Sequence, residues 1–319
     1  MGFAGNEVQA VAPRLTSDCL AIQVFQMSLE STIEEALDTP AARPRPDRPE
    51  KFLFVVCMNN SGSTLLERVL SRCRNVVGLL APAGPDHQVN GQRFVKKYMP
   101  SPSQLECRRI WSEQAAILQD ESRYQWPVIK AIWREQWARN PKFQIADRRV
   151  LLEKSPPNIY RAFMLEKHFE NSFFILMQRN PYAVSEGIRR RTELPLERCI
   201  QHWIRCAQQQ MRNEETLHRA IRVNYEELSE QAESCRQRIL ELIPELDDLD
   251  ISQDVTVHSV DGRVRQPIVN YNEKQIALLS EKDLVEINHY LDQIPEVMAH
   301  FDYEYIRSIR RDDPHRIAK

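Results

Sequence analysis

The segment Phe52-Leu-Phe-Val-Val-Cys-Met-Asn-Asn-Ser-Gly-Ser-Thr-Leu-Leu-Glu-Arg-Val-Leu70 runs from an apolar strand through a short polar loop around one glycine into an amphipathic helix. That order directs backbone N–H groups and a helix N-terminus at a bound anion, and Ser61, Ser63 and Thr64 add hydroxyl donors. A phosphate-bearing ligand is the first expectation. The common mononucleotide loop, Gly followed by four residues and then Gly-Lys-Ser/Thr, is absent. An ordinary ATPase or GTPase would therefore lack its phosphate-gripping lysine and its Mg²⁺-binding hydroxyl.

The rest of the chain repeats the alternation. Short apolar runs at Phe52–Cys57, Val150–Leu152, Phe173–Met177 and Ala220–Val223 are separated by helical patterns at Leu65–Leu70, Gln104–Leu118, Ile159–His168, Ala183–Arg191, Leu196–Leu217, Leu228–Leu242 and Ser280–Leu291. Strands joined by helices rather than tight hairpins predict a single α/β domain, a central parallel sheet flanked by helices. This domain is expected over residues 51–310. Residues 1–50 read as an N-terminal extension, with a helix candidate at Ser28–Leu37 and then a Pro/Arg-rich linker, Pro40 to Pro49, and 311–319 as a polar tail. Four of the five tryptophans, Trp111, Trp126, Trp133 and Trp137, fall between Pro102 and Pro141. Tryptophans at this density are expected mainly in the core, and this is where an aromatic substrate wall would lie.

Composition narrows the function classes. A formal net charge of -2 gives no global electrostatic grip on nucleic acid or on an anionic membrane, so any basic site must be local. No apolar run approaches the roughly 20 residues that cross a bilayer. After the Met-Gly start, position 6 is Asn rather than the Ser or Thr of a myristoylation signal, and no secretory pattern follows, so a cytoplasmic protein is expected. The seven cysteines are scattered without a Cys-x-x-Cys pair or metal-ligand spacing, which predicts reduced structural thiols and no metal site.

Two further strand ends carry cations. Leu151-Leu-Glu-Lys-Ser-Pro-Pro-Asn158 puts Glu153 and Lys154 just past one strand, and Met177-Gln-Arg-Asn-Pro-Tyr182 puts Arg179 just past the next. Ligands of open α/β sheets sit at these C-terminal edges. Three strand ends with anion-binding groups point to one site.

Together these segments resemble the nucleotide-binding framework of the sulfotransferases that use 3′-phosphoadenosine-5′-phosphosulfate (PAPS). The opening loop is similar to that family's Lys/Arg-Ser-Gly-Thr loop, Leu152-Glu-Lys-Ser-Pro156 to its Glu-Lys-Thr-Pro segment, and Arg179-Asn-Pro181 to its 3′-phosphate element. Val223-Asn-Tyr-Glu-Glu-Leu228 and Ile268-Val-Asn-Tyr-Asn-Glu-Lys-Gln-Ile-Ala-Leu-Leu-Ser280, leading to Phe301-Asp-Tyr303, extend the likeness to residues 51–305. The resemblance implies a P-loop-NTPase-like sulfotransferase fold and metal-free in-line transfer of a sulfuryl group to a hydroxyl or amine of a small-molecule acceptor, such as a natural product or carbohydrate.

By the same resemblance Asn60, Ser61, Gly62, Ser63, Thr64 and Leu65 would hold the 5′-phosphosulfate, and Arg179, Gly187, Tyr225, Arg263 and Arg265 the rest of the nucleotide. Lys154 would act on the sulfuryl group. Two positions depart from the family. Asn60 stands where a Lys or Arg is usual, so the loop brings an amide but no charge, and Lys154 is expected to supply it. Gly187 stands where a serine is common; Ser185 lies two residues earlier, on another helix face, and Arg263 and Arg265 are the expected compensation. His87, in Pro85-Asp-His-Gln88, is the candidate general base, with Glu153 and His202 as fallbacks. Two alternatives stay open: a non-catalytic member that binds a nucleotide or partner, and a nucleotide kinase-like phosphotransferase. Oligomeric state is not legible.

Overall fold

The computed structural model describes residues 50–81, 84–88, 90–102, 105, 109–259 and 262–308, and for residues 80, 81, 84–88, 257–259 and 263 the backbone only. The expected helix at Ser28–Leu37, the linker and the polar tail lie outside the described residues.

Five parallel strands form the centre: β1 (Lys51–Cys57), β2 (Val76–Gly78), β5 (Val150–Lys154), β6 (Ser172–Gln178) and β7 (Ala220–Asn224). Their spatial order is β2-β5-β1-β6-β7. Strand β1 pairs in parallel with β5 on one side, Phe52 opposite Leu151, and with β6 on the other, Leu53 opposite Phe173. The chain thus leaves β1 in one direction and returns to its opposite side, which opens a crevice at the C-terminal edge beside β1.

Because successive strand side chains point to opposite faces, β1 feeds two cores. Phe52, Phe54 and Val56 join one apolar cluster, and Leu53, Val55 and Cys57 the other. The first face is covered by α2 (Trp126–Ala138), α3 (Ala162–His168), α4 (Pro181–Thr192), α5 (Leu196–Thr216) and, further on, Glu281–Leu291. The second is covered by α1 (Ser63–Leu70) and by the helix Ala232–Leu242. All five tryptophans are buried in the first core, which accounts for their concentration.

Several local readings change. The expected helix over Gln104–Leu118 is, in its described part, a 3₁₀ turn at Trp111–Gln114 followed by the short helix Ala115–Gln119. The Leu228–Leu242 pattern is two helices, Tyr225–Glu230 and Ala232–Leu242, the first opened by a capping box between Asn224 and Glu227. Residues around Arg263 and Arg265 form an antiparallel hairpin, β8 (Val255–Ser259) with β9 (Gly262–Gln266). A second short pair joins β3 (Leu80–Ala81) to β4 (Gly84–Gln88), which carries His87. Edge strand β2, only three residues long, is too short for periodicity to signal. No helix among the described residues is long and apolar enough to cross a membrane.

Candidate functional site

The β1–α1 loop takes its shape from two left-handed residues, Asn60 at φ 63° and Gly62 at φ 84°. Asparagine tolerates that region better than most side chains, and glycine is free in it. Gly62 is required for a second reason: a Cβ there would lie 2.5 Å from Cδ2 of Tyr225. The ring is itself fixed, its hydroxyl donating to the Val269 carbonyl at 2.8 Å. Ser61 is fully buried and donates its hydroxyl to the Met58 carbonyl at 2.8 Å, so it braces the loop rather than facing a ligand. Ser63, Thr64 and Leu65 begin α1, whose first turn carries no acidic residue.

Arg179, at the end of β6, is held on several sides. Its Nε donates to Asn272 Oδ1 and its Nη1 to the Asn60 carbonyl, both at 2.8 Å, while Nη2 donates to Gln275 Oε1. The guanidinium also stacks 3.9 Å above the Tyr225 ring. Burial pulls its pKa below the ordinary arginine value, with Tyr225 and Glu226 opposing that shift. A guanidinium so oriented stays charged and presents a fixed fork.

Lys154, at the end of β5, donates to Thr64 Oγ1 at 3.3 Å and pairs with Glu67 Oε2 at 3.0 Å. Burial lowers its pKa, but Glu67, together with Cys57 and Glu153, more than offsets that and holds it above the ordinary lysine value. The expected catalytic cation is therefore charged, yet part of its charge is answered from α1.

These elements enclose a cavity of about 670 Å³, whose walls include Asn60, Gly62, Thr64, Lys154, Arg179 and Tyr225. That volume lies within the range of small-ligand sites. Three more cations reach it, Arg68, Arg109 and Arg191. Arg68 also donates to the Thr256 carbonyl, which seats the β8–β9 hairpin on α1. Arg191 donates to Asn60 Oδ1 at 2.6 Å. Its pKa is lowered by desolvation and by the neighbouring Arg109, Arg190 and Arg179. Among the described residues lining the cavity there are five Lys or Arg and no Asp, Glu or His.

Other expected residues stand elsewhere. Gly187 is inside α4, against Gln275 and Asn60, and not on the cavity wall. Arg265 is exposed on β9 and does not line the cavity; the Arg263 and His87 side chains lie outside the description. Glu153 is buried and accepts from Gly91 N–H at 2.9 Å, from Ser155 and from Asn158. Burial raises its pKa and these three hydrogen bonds oppose the shift; committed to three donors and off the cavity wall, it serves as a structural acceptor. His202 is packed edge-on to Trp111 and bonded to Ser112 Oγ at 2.7 Å, with burial pushing its pKa down to about 3. Neither fallback base faces the cavity. Ser185 is buried as well. The sequence reading missed Arg68, Arg109, Arg191 and Gln275. For Arg191 a signal existed: it follows Gly187 by four residues and so shares its helix face.

No curated protein matches the sequence. Among solved structures, the sulfotransferase domain from the curacin biosynthetic pathway is similar at 18% identity over 81% of this chain and 100% of its own, with a TM-score of 0.46. Sulfotransferase STF1 from Mycobacterium tuberculosis H37Rv is 10% identical over 88% of this chain and 87% of its own, with a TM-score of 0.49. Sulfotransferase STF9 from Mycobacterium avium is 15% identical over 86% and 82%, with a TM-score of 0.43. The sequence model of the sulfotransferase family matches residues 53–247, more than half of the chain, from within β1 through the helix Ala232–Leu242. The chain belongs to the sulfotransferase family.

Proposed function

We propose that this protein transfers a sulfuryl group from PAPS to a hydroxyl or amine of a small-molecule acceptor. The observation that carries this reading is the cavity wall of Arg68, Arg109, Lys154, Arg179 and Arg191 with no carboxylate among its described lining residues. Such a wall suits a ligand with several separate oxyanions, because charge-assisted hydrogen bonds from guanidinium and ammonium groups are the strong ones. When bound, PAPS supplies a sulfuryl group that forms a bond to the acceptor oxygen or nitrogen while its S–O bond to the 5′-phosphate breaks, the electron pair leaving with 3′,5′-adenosine diphosphate.

The chain's own residues divide the work. Gly62 lets the loop backbone approach an oxyanion, and the N-terminal turn of α1 with Ser63 and Thr64 adds donors. Lys154 provides a preorganised positive charge beside them, which stabilises charge spread over sulfuryl oxygens. Arg179 binds the second phosphate, its fork fixed by Asn60, Asn272 and Gln275. The acceptor's proton passes to a base, for which His87 on β4 remains the candidate.

A second reading has one observation in its favour: no described residue of the cavity wall is an Asp, Glu or His. On that reading the protein binds the nucleotide without transfer. Calorimetry separates the readings when paired with an assay of 3′,5′-adenosine diphosphate release from PAPS over a panel of hydroxyl and amine acceptors. Binding of 3′,5′-adenosine diphosphate in preference to ATP with Mg²⁺, together with acceptor-dependent release, is expected. Preference for ATP with Mg²⁺ would sink the proposal, and tight binding without release would establish the second reading.

A further inference from the structure

Asn60, Gly187 and Arg191 meet where the β1–α1 loop touches α4. Arg191 Nη1 donates to the Asn60 side-chain oxygen at 2.6 Å, and Arg179 Nη1 donates to the Asn60 backbone oxygen at 2.8 Å. Both oxygens of one loop residue thus face guanidinium groups. A lysine or arginine at position 60 would set a third cation against these two, in a cavity whose described walls hold no carboxylate. Like charges brought together under partial burial are costly.

Gly187 belongs to the same arrangement. A Cβ at this position would stand 3.4 Å from Asn60 Nδ2 and 3.1 Å from Gln275 Nε2, so the bare helix surface is what the Asn60 amide lies against. The left-handed backbone of Asn60 is a conformation in which asparagine is enriched. The side chain therefore reaches α4, where its oxygen meets a long, rotamer-rich arginine at the cavity wall. Fixing that arginine beforehand removes part of the entropy that anion binding would otherwise cost.

We infer that Arg191 supplies the positive charge the loop lacks, gripping an oxyanion of the ligand, and that Asn60 is the positioning residue holding it there. The inference rests on the cavity being the donor site proposed above, but it is tested by anion binding as well as by nucleotide binding. Asn60, Gly187 and Arg191 then form a single device in which a cation on the loop is exchanged for one on the helix.

The experiment is calorimetry of 3′,5′-adenosine diphosphate and of inorganic pyrophosphate on the wild type, Arg191→Ala, Arg191→Lys, Asn60→Lys and the double variant Asn60→Lys/Arg191→Ala. Arg191→Ala is expected to weaken both probes by about tenfold or more, the loss of one charge-assisted contact, and Arg191→Lys to recover part of it. Asn60→Lys should impair binding when Arg191 is present and improve it when Arg191 is alanine, a change of sign that mere structural damage does not produce. Equal effects of Asn60→Lys in both backgrounds, or wild-type affinities in Arg191→Ala, would overturn the inference. Should Asn60→Lys fail to fold, the ordering wild type, Arg191→Lys, Arg191→Ala decides, and equal affinities across the three overturn it. Arg191-dependent pyrophosphate binding without 3′,5′-adenosine diphosphate binding would remove the donor assignment and leave the anion grip standing. Binding of neither probe by the wild type would remove both.

Discussion

The Glu67 carboxylate on α1 lies 3.0 Å from the Lys154 ammonium at the end of β5, and the two side chains are only 9% and 12% exposed. The pair joins the helix that follows the first loop to the strand beside it. Removing one partner of a buried pair leaves the other charge uncompensated, so Glu67→Gln is expected to lose about 3 kcal/mol of stability. The same change releases the field of Lys154 into the cavity. Urea unfolding should show the loss, and pyrophosphate calorimetry should show tighter binding. Unchanged affinity would mean that Lys154 does not act on the cavity.

Gly62 is constrained twice, by its positive φ and by the Tyr225 ring 2.5 Å from where a Cβ would be. Gly62→Ala is expected to cost about 1–3 kcal/mol, the range for a side chain forced into a sparsely populated backbone region. It should also abolish nucleotide binding, because the loop must move away from the ring. Adding Tyr225→Ala relieves the clash but not the backbone strain. The double variant should therefore fold better than the Gly62→Ala protein plus an independent Tyr225 loss predicts, a non-additivity that paired denaturation curves will report.

Gln275 and Asn272 hold the Arg179 fork through their side-chain oxygens. Removing one such acceptor leaves a guanidinium N–H less constrained without removing the charge. Gln275→Ala is expected to weaken 3′,5′-adenosine diphosphate about tenfold, one hydrogen bond to a charged group. Binding of 5′-adenosine monophosphate, which lacks the second phosphate, should change little. An equal loss for both nucleotides would place Arg179 at the shared 5′ end instead.

His202 gives the fold a pH dependence unrelated to chemistry. Burial, and secondarily Arg205, push its pKa down to about 3, so it stays neutral in the folded protein. The unfolded chain takes up a proton below its ordinary value of 6.5. Its stabilising contribution is thus complete above about pH 6.5 and drains away as pH falls toward the folded value, at up to ~1.4 kcal/mol per pH unit. His202→Gln should be less stable at pH 7, yet lose stability less steeply between pH 6 and 4. Parallel curves for both proteins across that range would refute the assignment.

Glu153 accepts from a backbone N–H, a hydroxyl and an amide, three donors around one buried carboxyl. Glu153→Ala would orphan all of them and is expected to destabilise the protein by about 3–5 kcal/mol. Glu153→Gln keeps an oxygen for the Gly91 N–H and should keep most of any transfer activity. A Gln variant that is folded but inactive would restore Glu153 as a candidate base.

Strand β1, its loop and α1 were legible because each is written in a run of neighbouring residues. The unbroken apolar run of β1, one glycine at the turn and the apolar stripe of α1 all act within the backbone's own reach. The ends of β5 and β6 were legible for the same reason, and with them Lys154 and Arg179. Boundaries drifted where a cap or a tight turn broke a continuous apolar pattern, as between Tyr225–Glu230 and Ala232–Leu242.

What sequence alone determined is the parallel α/β framework and the set of strand ends that border the cavity, since local periodicity and turn chemistry dictate both. Tertiary structure alone decided the charges. Only folding sets Glu67 beside Lys154, commits the Ser61 hydroxyl to Met58, buries His202, and brings Arg191 onto the oxygen of Asn60. Those outcomes depend on which distant side chains share a few ångströms, and electrostatic and hydrogen-bond energies vary steeply over just that distance.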